Sequence, residues 1–252
     1  MRSLLLMLFF VGVMAAAALA GMAVRKRLPQ HHTEDSSRDA ILRSVGLVVT
    51  LSAVVLGFLV GAAKSYYGAV EDQLTEIAAD AAMLDRLLTR YGKGAEPARE
   101  VLRQSVGLAV GTIWPGYQSA LPQSGSRSGL QVSEQLADAI EKMPEGDPRR
   151  ASLRGQALGQ LTDMQHAAFK LSRIAQARPQ ASTLAVVVSW LVIIFFGFGL
   201  VSPATGTARA SMILAAAASA GALFLILELY TPVSGLLRIE PAILEDVLPS
   251  LR

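Results

Sequence analysis

The sequence predicts an all-α integral membrane protein with four transmembrane helices and a helical extramembrane region between the second and the third. Three observations carry this. Four long apolar runs punctuate the chain, two towards each end. Charged residues make up 17% of the 252 residues, where a soluble globular chain carries about 25%, and mean hydropathy is +0.42. Between the second and third runs the pattern changes from unbroken apolar sequence to an apolar stripe of helical period.

The first run, SLLLMLFFVGVMAAAALAGMAV, is uncharged between Arg2 and Arg25 and places a span over residues 1–24. A polar, basic loop follows over 25–43. The second run, SVGLVVTLSAVVLGFLVGAA, lies between Arg43 and Lys64 and gives a span over 44–64. The third begins at Ala181 and spans 181–202, and the fourth, ASMILAAAASAGALFLIL, spans 209–230 if Leu229 and Tyr230 extend it. A helix needs about 20 apolar residues to cross a hydrocarbon layer of about 30 Å. Backbone groups in lipid must be satisfied within the segment, which selects helix over open sheet. The remaining chain is too small to wrap four such helices as the core of a soluble protein. The link SPATGTAR between the last two runs makes them an antiparallel hairpin, with Pro203 and Gly206 supplying turn chemistry. Residues 231–252 form a C-terminal tail.

The first run also has the look of a secretory signal peptide, with Ala18-Leu19-Ala20 as an A-x-A-like cleavage point. The basic cluster Arg25-Lys26-Arg27 favours a retained span, because such clusters stay on the cytoplasmic side. Four spans put both termini and the middle region on one side. Arg25, Lys26, Arg27, Arg38, Arg43 and Arg209 then face Arg2, Lys64, Lys170, Arg173, Arg178 and Arg238 across the membrane. The counts nearly balance, and the dense first-loop cluster tips the charge rule towards a cytoplasmic loop and an external middle region.

The middle region, residues 65–180, reads as helices. Tyr66, Val70, Leu74, Ile77, Ala81, Leu84 and Leu88 recur at steps of three and four, continuing the second span as an amphipathic helix. Glu71, Asp72, Glu76, Asp80 and Asp85 take the other faces. Tyr91-Gly92-Lys93-Gly94 ends it, with Gly92 as a left-handed cap. Pro97 suits the first turn of the next helix, with Ala98, Val101, Leu102, Ser105, Val106 and Ala109 inside, and Trp114-Pro115-Gly116 stops it. The run from Gln118 to Gly129 reads as a loop, followed by a short helix over 133–143. Asp147 caps the last long helix, Pro148 opens it, and Leu158, Leu161, Met164, Ala168, Leu171 and Ala175 line its core face. A bend is expected at Arg178-Pro179.

Chemistry is sparse. The chain has no cysteine, which excludes disulfides, thiolate catalysis and Cys-type zinc sites. His31 and His32 sit in the polar loop beside Glu34 and Asp35, where adjacent side chains point apart and a solvated loop is the simpler meaning than a metal site. His166 and Asp163 are three apart on a helix and read as a surface pair. No phosphate loop, nucleophile elbow or zinc motif appears, so no catalytic residue, cofactor or metal site is expected and an enzyme is not. The net charge of +3 is spread without the basic block that nucleic acid requires.

The spans offer more. Gly57 and Gly61 form a G-x-x-x-G, which lets two helices approach closely, either within the chain or between subunits. Ala215 to Gly221 give the fourth span a smooth surface of the same kind. Thr50 and Ser52 are polar groups inside the second span; each can line a water path or bond back to its own helix. Glu228, at the end of the fourth span, is expected at the interface, snorkelling or paired with an arginine, with an ion-path residue as the other reading.

Two segments resemble the bestrophin-like domain family of mainly bacterial membrane proteins. One runs from Val45 through the second span into a helix with the acidic-then-small pattern Glu76-Ile77-Ala78-Ala79. The other, LFLILELYTPVSGLLRIEPAIL from Leu223, is similar to the family's ending in Glu228, Pro232, Ser234, Gly235, Arg238 and Pro241. The likeness covers most of the chain from about residue 40; Ser37-Arg38-Asp39-Ala40 depart from the polar residues expected before the second span. True bestrophins are pentameric anion channels whose second span lines the pore. The resemblance therefore implies an oligomeric ion channel, with Thr50, Ser52, Gly57, Phe58 and Gly61 facing an axis, in the plasma (inner) membrane of a bacterium. It also implies a cytoplasmic middle domain, against the charge rule. The other reading is a non-conducting membrane scaffold or sensor whose helical region binds a protein. The partners expected are the lipid bilayer and further copies of the chain.

Overall fold

The computed structural model describes residues 2–27, 35–115, 129–144, 147–176, 181–203 and 205–245. His31 and His32, most of the expected loop after Gln118, and the bend at Arg178-Pro179 lie outside the described residues. The helices in chain order are α1 (Arg2–Arg25), α2 (Asp35–Tyr91), α3 (Glu96–Ile113), α4 (Gly129–Glu141), α5 (Pro148–Gln176), α6 (Ala181–Val201), α7 (Gly206–Leu229) and the short α8 (Ala242–Glu245). Among the described residues there is no strand. α1, α2, α6 and α7 are each long and apolar enough to cross a membrane.

Two compact units divide the chain. The first takes α1, α2 as far as Tyr66, α6, and α7 through Thr231. α1 packs on α6 and α7. Lipid tails are as apolar as leucine, so close packing rather than water exclusion must hold such helices together. Two glycines allow it. A Cβ on Gly21 would lie 2.9 Å from the Leu200 amide nitrogen and nearer still to the Phe196 carbonyl oxygen. One on Gly199 would lie 3.0 Å from the Ala18 carbonyl carbon and nearer still to its oxygen. Each glycine is thus the gap that the other helix's backbone fills. Met14, Ala18, Leu191, Phe195, Ala216 and Leu223 complete the buried packing. Arg25 donates through Nη1 to the Val201 carbonyl at 2.8 Å, placing a cation on an orphan carbonyl at the end of α6.

The hairpin link is shorter than the sequence suggested. α6 ends at Val201 and α7 starts at Gly206, so Gly206 opens the helix instead of turning the chain. Thr205 caps it, its Oγ1 accepting from the Ala208 amide at 3.3 Å. Residues 35–43, expected as loop, are also helical, because α2 begins at Asp35.

The second unit takes α2 from Tyr67, α3, α4, α5 and the chain from Pro232. Its core joins Ala81, Leu84 and Leu88 of α2, Ala98, Leu102 and Val106 of α3, Leu136 and Ile140 of α4, and Leu153, Ala157 and Leu161 of α5. The α2 and α3 stripes are those the sequence marked. On α5 the face is turned: Ala167 is buried while Ala168 and Ala175 are exposed. Alanine follows either phase without cost, so the larger Leu153 and Leu161 decide it. Asp147 caps α5, its Oδ1 accepting from the Arg150 amide at 2.9 Å. Gly92 breaks α2 at φ 97°. Its ψ of −158° is not the expected left-handed cap but the extended positive-φ region that essentially only glycine enters. Tyr91 donates its hydroxyl to the Pro144 carbonyl, and Arg99 Nε meets Asp85 Oδ1 at 2.9 Å with the Asp85 side chain 2% exposed.

Candidate functional site: the open face of the second span

α2 is the membrane helix that its own chain covers least. In its most apolar stretch 11% of residues are buried, against 39% in α6 and 28% in α1 and α7. One side is used: Val45, Ser52 and Ala63 are buried, and Val48, Val55, Leu56 and Leu59 pack beside them. The other side is open. Gly46, Leu47, Thr50, Leu51, Val54, Gly57, Phe58, Gly61 and Ala62 are exposed, and their spacing of three and four residues puts them on one broad face.

The five residues singled out in this span do not share a face. Gly57, Phe58, Gly61 and Thr50 are on the open side, Phe58 at 75% exposure. Among the described residues a Cβ on Gly57 or Gly61 would meet nothing within 4 Å, so neither glycine packs against another described helix. The close-approach glycines of the α1–α6 crossing are Gly21 and Gly199, one per helix, while Gly197 of α6 leaves room for the Val45 side chain of α2. Thr50 turns its hydroxyl back to the Gly46 carbonyl at 3.0 Å. Ser52 lies on the covered side, 2% exposed, so it faces away from Phe58. Arg43 and Lys64 are exposed at the two ends of the apolar stretch, and their helical register sets them over the glycines.

The C-terminal motif is spread over two settings. Glu228 is fully buried in α7, not snorkelling to water. Pro232, Ile239 and Pro241 are buried, while Ser234 and Arg238 are exposed and Gly235 is half-buried. The Ile239 amide donates to the Pro232 carbonyl at 2.7 Å, closing residues 232–239 into a loop. The Trp114 indole Nε1 donates to the Ile239 carbonyl at 2.9 Å. The sequence marked Trp114 only as a helix stop; a tryptophan with a buried polar handle usually has a partner, but nothing local names one 125 residues away.

A groove of about 400 Å³ lies between α2 and α5, lined by Glu76, Asp80, Asp163, His166, Phe169 and Lys170. Asp80 accepts from Gln160 Nε2 at 2.7 Å and Lys170 Nζ stands 3.7 Å from Glu76. Burial raises the Asp80 carboxyl above its ordinary range; the charges of Asp163 and Glu76 add to this, and Gln160 and Lys170 pull it back. His166 and Asp163 are both exposed. Among the described residues no cluster of His, Asp and Glu has the arrangement to hold a metal ion.

The open apolar face, the four membrane helices and the buried end of α7 can be set beside known proteins. The fold is that of a bacterial bestrophin homologue from Klebsiella pneumoniae. Two of its variants superpose with TM-scores of 0.74 and 0.73 at 14% and 13% identity, each match covering 100% of this chain and 98% of the other. A further solved structure, described as a membrane protein, superposes at 0.75 with 14% identity over 97% of this chain and 96% of that one. At such identity these matches speak for the fold alone. No curated protein matches the chain in sequence. The model of the bestrophin-like domain family matches residues 12–244, which takes in residues 12–25 of α1 as well as the stretch from about residue 40 that carries the resemblance. The chain is a multi-pass membrane protein and belongs to the bestrophin-like family.

Proposed function

We propose that the protein is a homo-oligomeric ion channel of the bacterial inner membrane, in which several copies turn the open face of α2 towards a common axis. The observation that carries the reading is the near-bare membrane stretch of α2, 11% buried, with Gly57 and Gly61 facing no other described residue. Small residues let neighbouring helices approach closely, and Phe58 beside them supplies an apolar ring of the kind that gates by dewetting. Thr50 belongs to this face; Ser52 does not, and drops out of the set expected at the axis.

The exposed Arg43 and Lys64 support an anion as the permeant ion. Repeated around an axis they form a cationic ring at each end of the apolar stretch, and rings of Arg and Lys favour anions. The scaffold reading has less to stand on. The apolar stripe of α2 that would bind a protein partner is spent inside its own unit, with Leu74, Leu84 and Leu88 fully buried. No residue is cast in a catalytic role.

The test is purification in detergent, mass measurement of the assembly, and reconstitution into liposomes under a chloride gradient. An oligomer passing chloride supports the proposal. A monomer, or an oligomer with neither anion nor cation flux, rejects it.

A further inference from the structure

The groove between α2 and α5 plays no part in the proposed conduction. Three carboxylates meet there, Glu76 and Asp80 from α2 and Asp163 from α5, with one ammonium, Lys170, and one imidazole, His166. With His166 neutral the lining carries two more negative than positive charges. Among the described residues the groove is lined by these two helices alone.

The contacts across it are unequal. Gln160 ties α5 to Asp80 at 2.7 Å through a neutral donor, which leaves the aspartate's charge uncompensated. The one cation, Lys170, is 59% exposed and 3.7 Å from Glu76, where solvent screens it. Asp80 is the half-buried member and faces Asp163 across the groove and Glu76 one turn back on its own helix. Like charges in a partly desolvated setting favour the neutral acid.

We propose that this groove is an acid-strengthened clamp in the second unit: on acidification Asp80 takes up a proton from solvent, its repulsion with Asp163 and Glu76 ends, and α5 is held more firmly on α2. The sign is opposite to that of an ordinary salt-bridged aspartate. Asp80 is easier to protonate when folded than when unfolded. Its contribution to stability is therefore full below the unfolded value and is lost as pH rises through the folded one. Gln160 can donate to Asp80 in either state, so the neutral acid keeps its tether.

The clamp rests on the second unit alone and stands or falls independently of ion conduction. The test uses the full chain in detergent, comparing thermal midpoints of the wild type, Asp80→Asn and Asp163→Asn at about pH 7.5 and about pH 4.5. At the higher pH, Asp80→Asn is expected to raise the midpoint by about 2–4 °C, and Asp163→Asn, an exposed position that folding tolerates, to raise it by a smaller amount. At the lower pH the advantage of both variants should shrink towards zero. Hydrogen exchange, corrected for the intrinsic pH dependence of the rate, should show α5 amides near Gln160 gaining protection on acidification in the wild type but not in Asp80→Asn. Asp80→Asn neutral or destabilising at the higher pH, or an advantage that persists unchanged at the lower one, overturns the clamp.

Discussion

Replacing Gly199 by alanine puts a methyl group into the backbone of α1. Its Cβ would sit 3.0 Å from the Ala18 carbonyl carbon and 3.1 Å from the Gly21 Cα, and the carbonyl oxygen is nearer still. None of these atoms belongs to a flexible side chain. To restore ordinary van der Waals contact the two helices must part by about 1 Å, a gap that forfeits a quarter to a half of each pair's dispersion energy along the crossing. Overpacking costs about 1–3 kcal/mol, and against backbone atoms that cannot swing aside it falls in the upper part of that range, about 2–3 kcal/mol. The better helix propensity of alanine returns up to about 1 kcal/mol in water. The net loss is about 1–2 kcal/mol, or about 2–8 °C in midpoint at roughly 2–4 °C per kcal/mol for a chain of this size. Gly21→Ala, pressed against Phe196 and Leu200, should lose a similar amount. Gly12→Ala, on the same helix as Gly21 but with nothing within 4 Å, is the control and should change little. The assay is the temperature at which half of the detergent-purified protein leaves its size-exclusion peak. If Gly21→Ala and Gly199→Ala behave like Gly12→Ala, the crossing is not held by these glycines.

Trp114→Phe keeps an aromatic side chain but loses the indole's pyrrole ring and with it the bond to the Ile239 carbonyl; leaving a buried acceptor unpaired costs about 1–3 kcal/mol, and limited proteolysis should cut the chain after Pro232 sooner than in the wild type. Arg99→Met strands the buried Asp85 carboxylate and should cost about 3–5 kcal/mol, whereas Arg99→Met with Asp85→Leu should recover most of it, which a double-mutant thermal cycle measures. Lys64→Glu reverses a charge at one end of the α2 face, and in reconstituted liposomes it should lower the anion-to-cation permeability ratio by about tenfold if each ring contributes about 1.4 kcal/mol.

Local pattern carried much of the fold. The stripe from Val70 to Leu88 marked both the helix and its buried side, because large aliphatic residues at steps of three and four leave one solution. On α5 the adjacent Ala167 and Ala168 gave no such discrimination, and the face came out one residue off. The glycines show the sharper limit. Gly57-x-x-x-Gly61 signals close approach but not by what, and among the described residues nothing approaches. Gly21 and Gly199 sit in different helices, with no spacing to announce them. The α2–α5 groove unites residues 80 positions apart at the Asp80–Gln160 bond, so the sequence yielded only the His166 and Asp163 half of it. Glu228 was legible as a costly carboxylate, but its burial depends on what packs over α7, which no local rule supplies.

The chain contains no cysteine, so one can be introduced without background. The most direct measurement is disulfide or short bifunctional cross-linking of single-cysteine variants in native membranes. Gly57→Cys and Gly61→Cys sit on the open face of α2; Leu214→Cys, 73% exposed on α7, is the comparison on another exposed span. Covalent dimers and higher species from the two α2 variants, with little from Leu214→Cys, are the predicted outcome. Monomeric Gly57→Cys and Gly61→Cys, under conditions where Leu214→Cys links as well or better, contradict the assembly of copies around α2.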